Sequence, residues 1–239
     1  MASFVKTGRK IVAIGWNYSC GPLCSVSGAK PLLKHAKELN SPLPEKPLFF
    51  LKPTSSYLQQ PGAIEVPEGT VVHHEIELGV VIGKTGRNIP QSAANSFISG
   101  YVLALDMTAR NLQFEAKDKG HPWTVAKGFD TFTPVGDFIP PSKIKDYNNL
   151  QLTLKVDGKV TQDGSTSEMI FRIPKLISFV SSVMRLEEGD VILTGTPEGV
   201  GPVVPGQIVE GTLADGTTKE TISSFRFPVV GRPAFDSDQ

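Results

Sequence analysis

The sequence predicts an α+β, β-rich fold built as one domain, and three observations predict it. A chain of 239 residues can bury a sizeable core as a single unit. Its 23 glycines and 19 prolines supply many turns, which suits short strands better than long helices. The clearest apolar segments are β-branched runs of strand length.

In chain order, residues 10–15 (KIVAIG) read as a strand, and residues 48–51 as a second one followed by a turn-rich stretch. Between them lies a mixed segment with a brief helical patch at residues 33–39. Residues 71–83 (VVHHEIELGVVIG) read as one continuous strand closed by Gly83. Residues 92–97 predict a short helix, and residues 101–105 a strand running into Asp106. Thr108 is placed to cap a helix over residues 109–117. Asp157-Gly158, between residues 151–156 and 159–161, has the signature of a tight hairpin. Residues 173–184 carry helical spacing, with Pro174 where a helix start tolerates it. Three more strands are expected at residues 191–194, 207–211 and 221–228. No repeat, linker or low-complexity run divides residues 1–239.

Composition narrows the partners. Lys+Arg 24 equals Asp+Glu 24, and a protein that lives on phosphate backbones usually carries a basic excess. Nucleic acid is therefore not expected. No apolar run approaches the roughly 18 residues of a membrane span, so no membrane partner is expected. Cys20 and Cys24 are the two cysteines. They have no cluster around them to complete a zinc site, and a reducing compartment suits them. Residues 1–10 carry Lys6, Arg9 and Lys10 without an acid, a short basic start that leaves mitochondrial and cytoplasmic locations both open.

Glu75 and Glu77 carry the chemistry. Two residues apart on a strand, they project to one side about 7 Å apart, and in an apolar segment such a pair is costly without a counter-ion. Asp106, at the end of another apolar strand, can deliver a third oxygen. An all-carboxylate set favours a hard ion, Mg²⁺ or else Mn²⁺ or Ca²⁺. The plain alternative is a solvated face on an exposed strand, and His73-His74 alone reads as surface polarity.

Resemblance weighs against that alternative. His73-His74-Glu75-Ile76-Glu77-Leu78-Gly79 resembles the HHExELG signature of the fumarylacetoacetate hydrolase superfamily. The run from Asp106 to Gln113 is similar to its D-x-T-x-R-x-x-Q element, and that from Lys127 to Gly136 to its K-x-F-D…P-x-G element. Leu193 to Gly201 (LTGTPEGVG) resembles its glycine-rich loop. All four come in the family's order. The chain is similar to the short eukaryotic branch, of acylpyruvase and oxaloacetate decarboxylase or tautomerase type.

The resemblance implies a rolled, mixed, barrel-like sheet with short peripheral helices, and a homodimer. It implies Glu75, Glu77 and Asp106 as metal ligands, for magnesium with manganese as a substitute. It implies Lys127 beside the metal, and Lys52, Arg110, Gln113 and Thr196 as contacts for a small 2-oxo acid. His35 and Glu38 match its H-x-x-E pair and would activate water or move a proton. Trp16 stands where the family carries arginine, and residues 20–33 read as an insertion before His35. The activity implied is oxaloacetate decarboxylation or tautomerisation, or acylpyruvate hydrolysis. Alternatives are an isomerase or hydratase of longer hydroxymuconate-type acids, and a silent metal and 2-oxo acid binding protein.

Overall fold

The computed structural model describes residues 4–18 and 44–232. A seven-stranded mixed sheet forms its centre. The first of its strands in the chain are β1 (Ile11–Gly15), β2 (Leu48–Lys52) and the two-residue β3 (Tyr57–Leu58). The β4 strand (Ile64–Pro67) belongs to a second sheet, and β5 (Val72–His74) to a third. Then come β6 (Ile76–Ile82), β7 (Ile98–Leu105), the short β8 (Thr108–Ala109) and β9 (Thr133–Ile139). A hairpin of β10 (Leu150–Val156) and β11 (Lys159–Ser165) follows. The chain then adds β12 (Val191–Leu193), β13 (Gly201–Pro202), β14 (Ile208–Asp215) and β15 (Thr221–Arg232).

The central sheet runs β2-β1-β12-β6-β7-β9-β3, the second β11-β10-β14-β15-β4, and the third β13-β5-β8. Helices are few and short: α1 (Phe4–Thr7), α2 (Arg110–Asp118), α3 (Thr124–Lys127) and α4 (Ile173–Val183), with 3-10 turns between.

Every residue of β6 is buried, because β12 and β7 flank it and both its faces are covered. One face carries Ile76, Leu78, Val80 and Ile82. These pack in one cluster with Leu150, Leu152, Leu154, Phe225 and Phe227 of the second sheet and with Leu176, Ile177 and Val180 of α4. The opposite face holds Ile11, Ala13, Val81, Val102, Ala104, Val191 and Leu193, under Phe4 of α1. Gly79 sits where a Cβ would come 2.6 Å from Val102 Cγ1, so the close approach of β6 and β7 requires glycine there.

Two expectations need correction. Residues 71–83 are not one strand: the chain changes partners at Glu75, β5 pairing with β8 and β13 while β6 pairs with β7 and β12. Thr108 does not cap a helix. It lies in β8 and its hydroxyl donates to Asp106 O, while α2 starts after Ala109 with no side-chain cap. Tertiary pairing outweighs the local capping preference there. The hairpin does turn at Asp157-Gly158, both with positive φ (49° and 78°), as a primed turn requires. The helical patch at residues 33–39 and the insertion at residues 20–33 lie outside the described residues.

Candidate active site

The site grows from the end of the β6–β7 ladder. Ile76 pairs with Leu105 and Glu77 with Ala104, and Asp106 N donates to Glu75 O at 2.9 Å. The pairing therefore continues one step past the strands, setting Glu75 opposite Asp106. Opposed residues share a face, and so do residues two apart on one strand. All three carboxylates consequently point the same way, with candidate ligand atoms within 4.8 Å of one another. The break at Glu75 does not disturb the side that it faces.

Three cations from other elements close on this trio. Lys52, ending β2, donates to Asp106 Oδ1 at 2.6 Å and to Met107 O at 3.2 Å. Lys127, ending α3, bridges Asp106 Oδ2 at 2.6 Å and Glu75 Oε2 at 2.9 Å. Arg110, opening α2, donates to Glu75 Oε1 at 2.5 Å and to Gln113 Oε1 at 2.6 Å. That last bond confirms that positions i and i+3 share a helix face. Glu77 differs: Gly195 N–H donates to its Oε2 at 2.7 Å, and among the described residues no cation forms an ion pair with it. Thr196 Oγ1 donates to Ile76 O, between the two glutamates, at 2.8 Å.

Burial makes these charges consequential. Glu77 and Asp106 are 1% exposed, Lys52 1% and Lys127 2%. Burial pushes the Glu75 carboxyl up, but Lys127 and then Arg110 outweigh it and hold it at about 2. Glu77 is raised well above the usual carboxylate range, first by burial and then by the Asp106 and Glu75 charges. An unpaired buried carboxylate beside two others is what an added positive charge relieves. The donor set, all carboxylate oxygens, fits a hard divalent ion held by Glu75, Glu77 and Asp106.

Eight of the ten residues expected from sequence thus converge: Glu75, Glu77, Asp106, Lys127, Lys52, Arg110, Gln113 and Thr196. His35 and Glu38 lie outside the described residues. One expectation fails. His74 is not surface polarity; it is 1% exposed and its Nδ1 lies 2.8 Å from Gln162 Oε1. Sequence reasoning missed Gln162, because a single glutamine in a hairpin strand carries no signal of its own. The turns of the glycine-rich loop do predict backbone N–H groups close to an anion, but not that Gly195 is the donor and Glu77 the acceptor.

A β-rich fold with this buried acidic cluster defines a class, and the comparison with protein families agrees. The chain belongs to the fumarylacetoacetate hydrolase family: the family described as fumarylacetoacetate (FAA) hydrolase C-terminal matches residues 10–229. Among individual relatives, the chain is 55% identical to the mitochondrial oxaloacetate decarboxylase of Dictyostelium discoideum over 212 residues, covering 88% of this chain and 91% of that protein. It is 54% identical to the mitochondrial oxaloacetate tautomerase FAHD1 of Arabidopsis thaliana, over 84% of this chain and 85% of that one. Among solved structures, a yeast fumarylacetoacetate hydrolase family protein superposes with a TM-score of 0.82 at 35% identity, covering 99% of this chain and 100% of that one. The 5-carboxymethyl-2-hydroxymuconate delta-isomerase of Mycobacterium smegmatis gives 0.76 at 36% identity, over 94% of this chain and 80% of that one.

Proposed function

We propose that the chain is a magnesium-dependent enzyme of small 2-oxo and 2,4-dioxo acids, with oxaloacetate the first substrate. The observation that carries this is the buried trio Glu75, Glu77 and Asp106, whose oxygens approach within 4.8 Å. The names of the oxaloacetate decarboxylase and tautomerase relatives support the substrate. So does charge. Three carboxylates are already balanced by Lys52, Lys127 and Arg110. A divalent ion then adds positive charge, which favours a carboxylate substrate.

In this reading Glu75, Glu77 and Asp106 hold the ion. When bound, a divalent ion supplies Lewis acidity that polarises the 2-oxo group. Lys127 keeps its proton: burial pulls its ammonium down, but the Asp106 and Glu75 carboxylates outweigh burial and hold it above its ordinary value. It lends a fixed positive charge to the oxygen on which enolate charge develops, in a site largely closed to water. Arg110 offers a planar fork to the substrate carboxylate, aimed by its bond to Gln113. Lys52 fixes the Asp106 carboxylate from the other side. The Gly195 N–H holds Glu77 Oε2 in place as a ligand. His35 and Glu38 carry the proton to and from C3, or activate water against an acyl carbon. Tautomerisation, decarboxylation and hydrolysis would each place enolate charge on the same 2-oxo oxygen: the first by loss of a C3 proton, the other two by cleavage of C3–C4, with CO₂ or a carboxylic acid as the leaving group. A homodimer and a mitochondrial location, matching relatives named mitochondrial, belong to the same proposal, as does a single catalytic domain over residues 1–239.

A second reading has an observation of its own. An apolar groove of about 890 Å³ runs beside Lys52, lined also by Leu48, Phe50, Trp123 and Phe129 and not by Glu75, Glu77 or Asp106, and in this second reading it takes the far end of a longer acid. The likeness to a hydroxymuconate isomerase points the same way.

Oxaloacetate consumption with and without Mg²⁺ tests the proposal, pyruvate and CO₂ being assayed apart from loss of enol. Acetylpyruvate and a muconate-derived acid serve as competitors. Mg²⁺-dependent turnover, fastest on oxaloacetate, is expected. Oxalate binding with Mg²⁺ but no turnover of any of the three would leave a silent binding protein. In Glu75→Gln and Asp106→Asn turnover should vanish while the circular dichroism spectrum stays unchanged; wild-type rates in either would remove the metal assignment.

A further inference from the structure

Gln162 lies on β11, in the second sheet, outside every motif that built the site. Its side chain is 1% exposed and makes four hydrogen bonds. Their polarity is fixed by main-chain groups that can play only one part. Ile76 N–H can only donate, so the atom 3.0 Å from it is the amide oxygen. Pro197 O can only accept, so the atom 2.9 Å from it is the amide nitrogen. The amide orientation follows without ambiguity.

Two consequences reach the site. The oxygen also faces His74 Nδ1 at 2.8 Å, so Nδ1 carries the hydrogen. The nitrogen donates to Thr196 Oγ1 at 2.8 Å, and Thr196 in turn gives its one proton to Ile76 O at 2.8 Å. The amide is thus a clip: one end holds the peptide between Glu75 and Glu77, and the other holds the glycine-rich loop. With its hydroxyl proton committed to Ile76, Thr196 can meet a carboxylate only through its backbone N–H.

We propose that Gln162 is a positioning residue for both halves of the site, setting the spacing of Glu75 and Glu77 through its carbonyl oxygen and the loop of Thr196 through its amide nitrogen. For the substrate half this rests on the 2-oxo acid reading given above. Partners bonded directly to metal ligands typically contribute about 10–100-fold to metal affinity; Gln162 acts one bond further out, through the Ile76 N–H between Glu75 and Glu77, so an effect near the lower end of that range is expected and is measurable with Mg²⁺ alone.

The test uses the full chain, Mg²⁺ titration calorimetry, oxalate titration at saturating Mg²⁺, and thermal midpoints as the check on folding. Gln162→Leu should weaken Mg²⁺ binding about tenfold or more. Thr196→Val, which leaves the Gln162–Ile76 bond intact, should stay within about threefold. Each should weaken oxalate about tenfold, and the double variant should lose no more than Gln162→Leu alone, because both remove one connected unit. Should Gln162→Leu fail to fold, Gln162→Glu keeps the acceptor for Ile76 and drops the amide donor. It should then hold Mg²⁺ within about threefold while weakening oxalate about tenfold. Mg²⁺ affinity of Gln162→Leu within threefold of wild type, oxalate losses that multiply in the double variant, or a Gln162→Glu that binds oxalate normally would each overturn the proposal. Wild-type protein that binds Mg²⁺ and oxalate but turns over no 2-oxo acid would remove the enzymatic reading alone. Wild-type protein that binds no Mg²⁺ would overturn both.

Discussion

Lys52 and Lys127 are almost equally buried, yet their ammonium groups shift in opposite directions. Burial lowers Lys52 overall, its one carboxylate bond to Asp106 recovering less than desolvation removes. Lys127 touches two carboxylates, Asp106 and Glu75, and their attraction exceeds the same penalty. The two lysines should therefore not be equivalent under mutation. Leaving a buried charge with no partner costs roughly 3–5 kcal/mol; in metal-free protein Lys127→Met leaves Asp106 with Lys52 and Glu75 with Arg110, so it should cost less than that range, but it strips a cation from two acids at once. Lys52→Met should cost less, since Asp106 keeps Lys127. Urea denaturation with a chelator present measures both, and equal losses would contradict the account. At this scale the carboxylates were legible because period-two alternation and a strand end are local patterns. Gln162 and the buried state of His74 were not, because their partners are 34 and 88 residues away.

Elements fix where those residues meet. β6 supplies Glu77, and the residues just before β6 and just after β7 supply Glu75 and Asp106; β2, α2 and α3 supply the cations, and the loop after β12 the N–H that holds Glu77. That loop turns at Gly195, whose φ is +93°. A Cβ there would stand 2.8 Å from Asn17 Cβ, and an L side chain resists that backbone region. Gly195→Ala should thus displace the N–H from Glu77 Oε2 and cost about 1–3 kcal/mol of stability, with Mg²⁺ affinity falling at least tenfold. A thermal midpoint and calorimetric affinity matching wild type would show that the loop's conformation is not what holds Glu77. Several strands could be read from the sequence as apolar runs of strand length: β1, β2, β7, β10 and β12 lie where expected, and β11, β14 and β15 start within a residue of the expected position and run longer. β9 was harder, since its Pro134 and Gly136 read as motif and turn residues. The two-residue β3, β8 and β13 exist only through distant pairing, such as Tyr57 with Thr133, and no local pattern marks them. The split of β5 from β6 is of the same kind, a change of partners that a continuous apolar run conceals.

Across the whole molecule, the acidic centre joins segments that the chain otherwise keeps apart, from Lys52 to Gly195. Without an ion, Glu77 sits buried without a cation partner among the described residues, its carboxyl raised by burial and by the Asp106 and Glu75 charges, and holding it there at neutral pH, ionised or protonated, is a cost of folding that ion binding would relieve. Binding to the folded state alone stabilises by about 2.7 kcal/mol at a hundredfold excess over Kd. For a chain of this size, each kcal/mol raises the melting midpoint by about 2–4 °C, so saturating Mg²⁺ should raise it by about 5–10 °C. Mn²⁺ should do the same, since oxygen ligands accommodate both ions, and sodium chloride at equal ionic strength should not. Glu77→Gln separates the electrostatic cause from general ion effects: it removes the buried ionisable group, so its metal-free form should melt at or above the wild-type midpoint, while its Mg²⁺-induced rise should shrink to nearly nothing. A full rise in that variant would mean that the ion binds elsewhere, and the three converging carboxylates would then need another explanation.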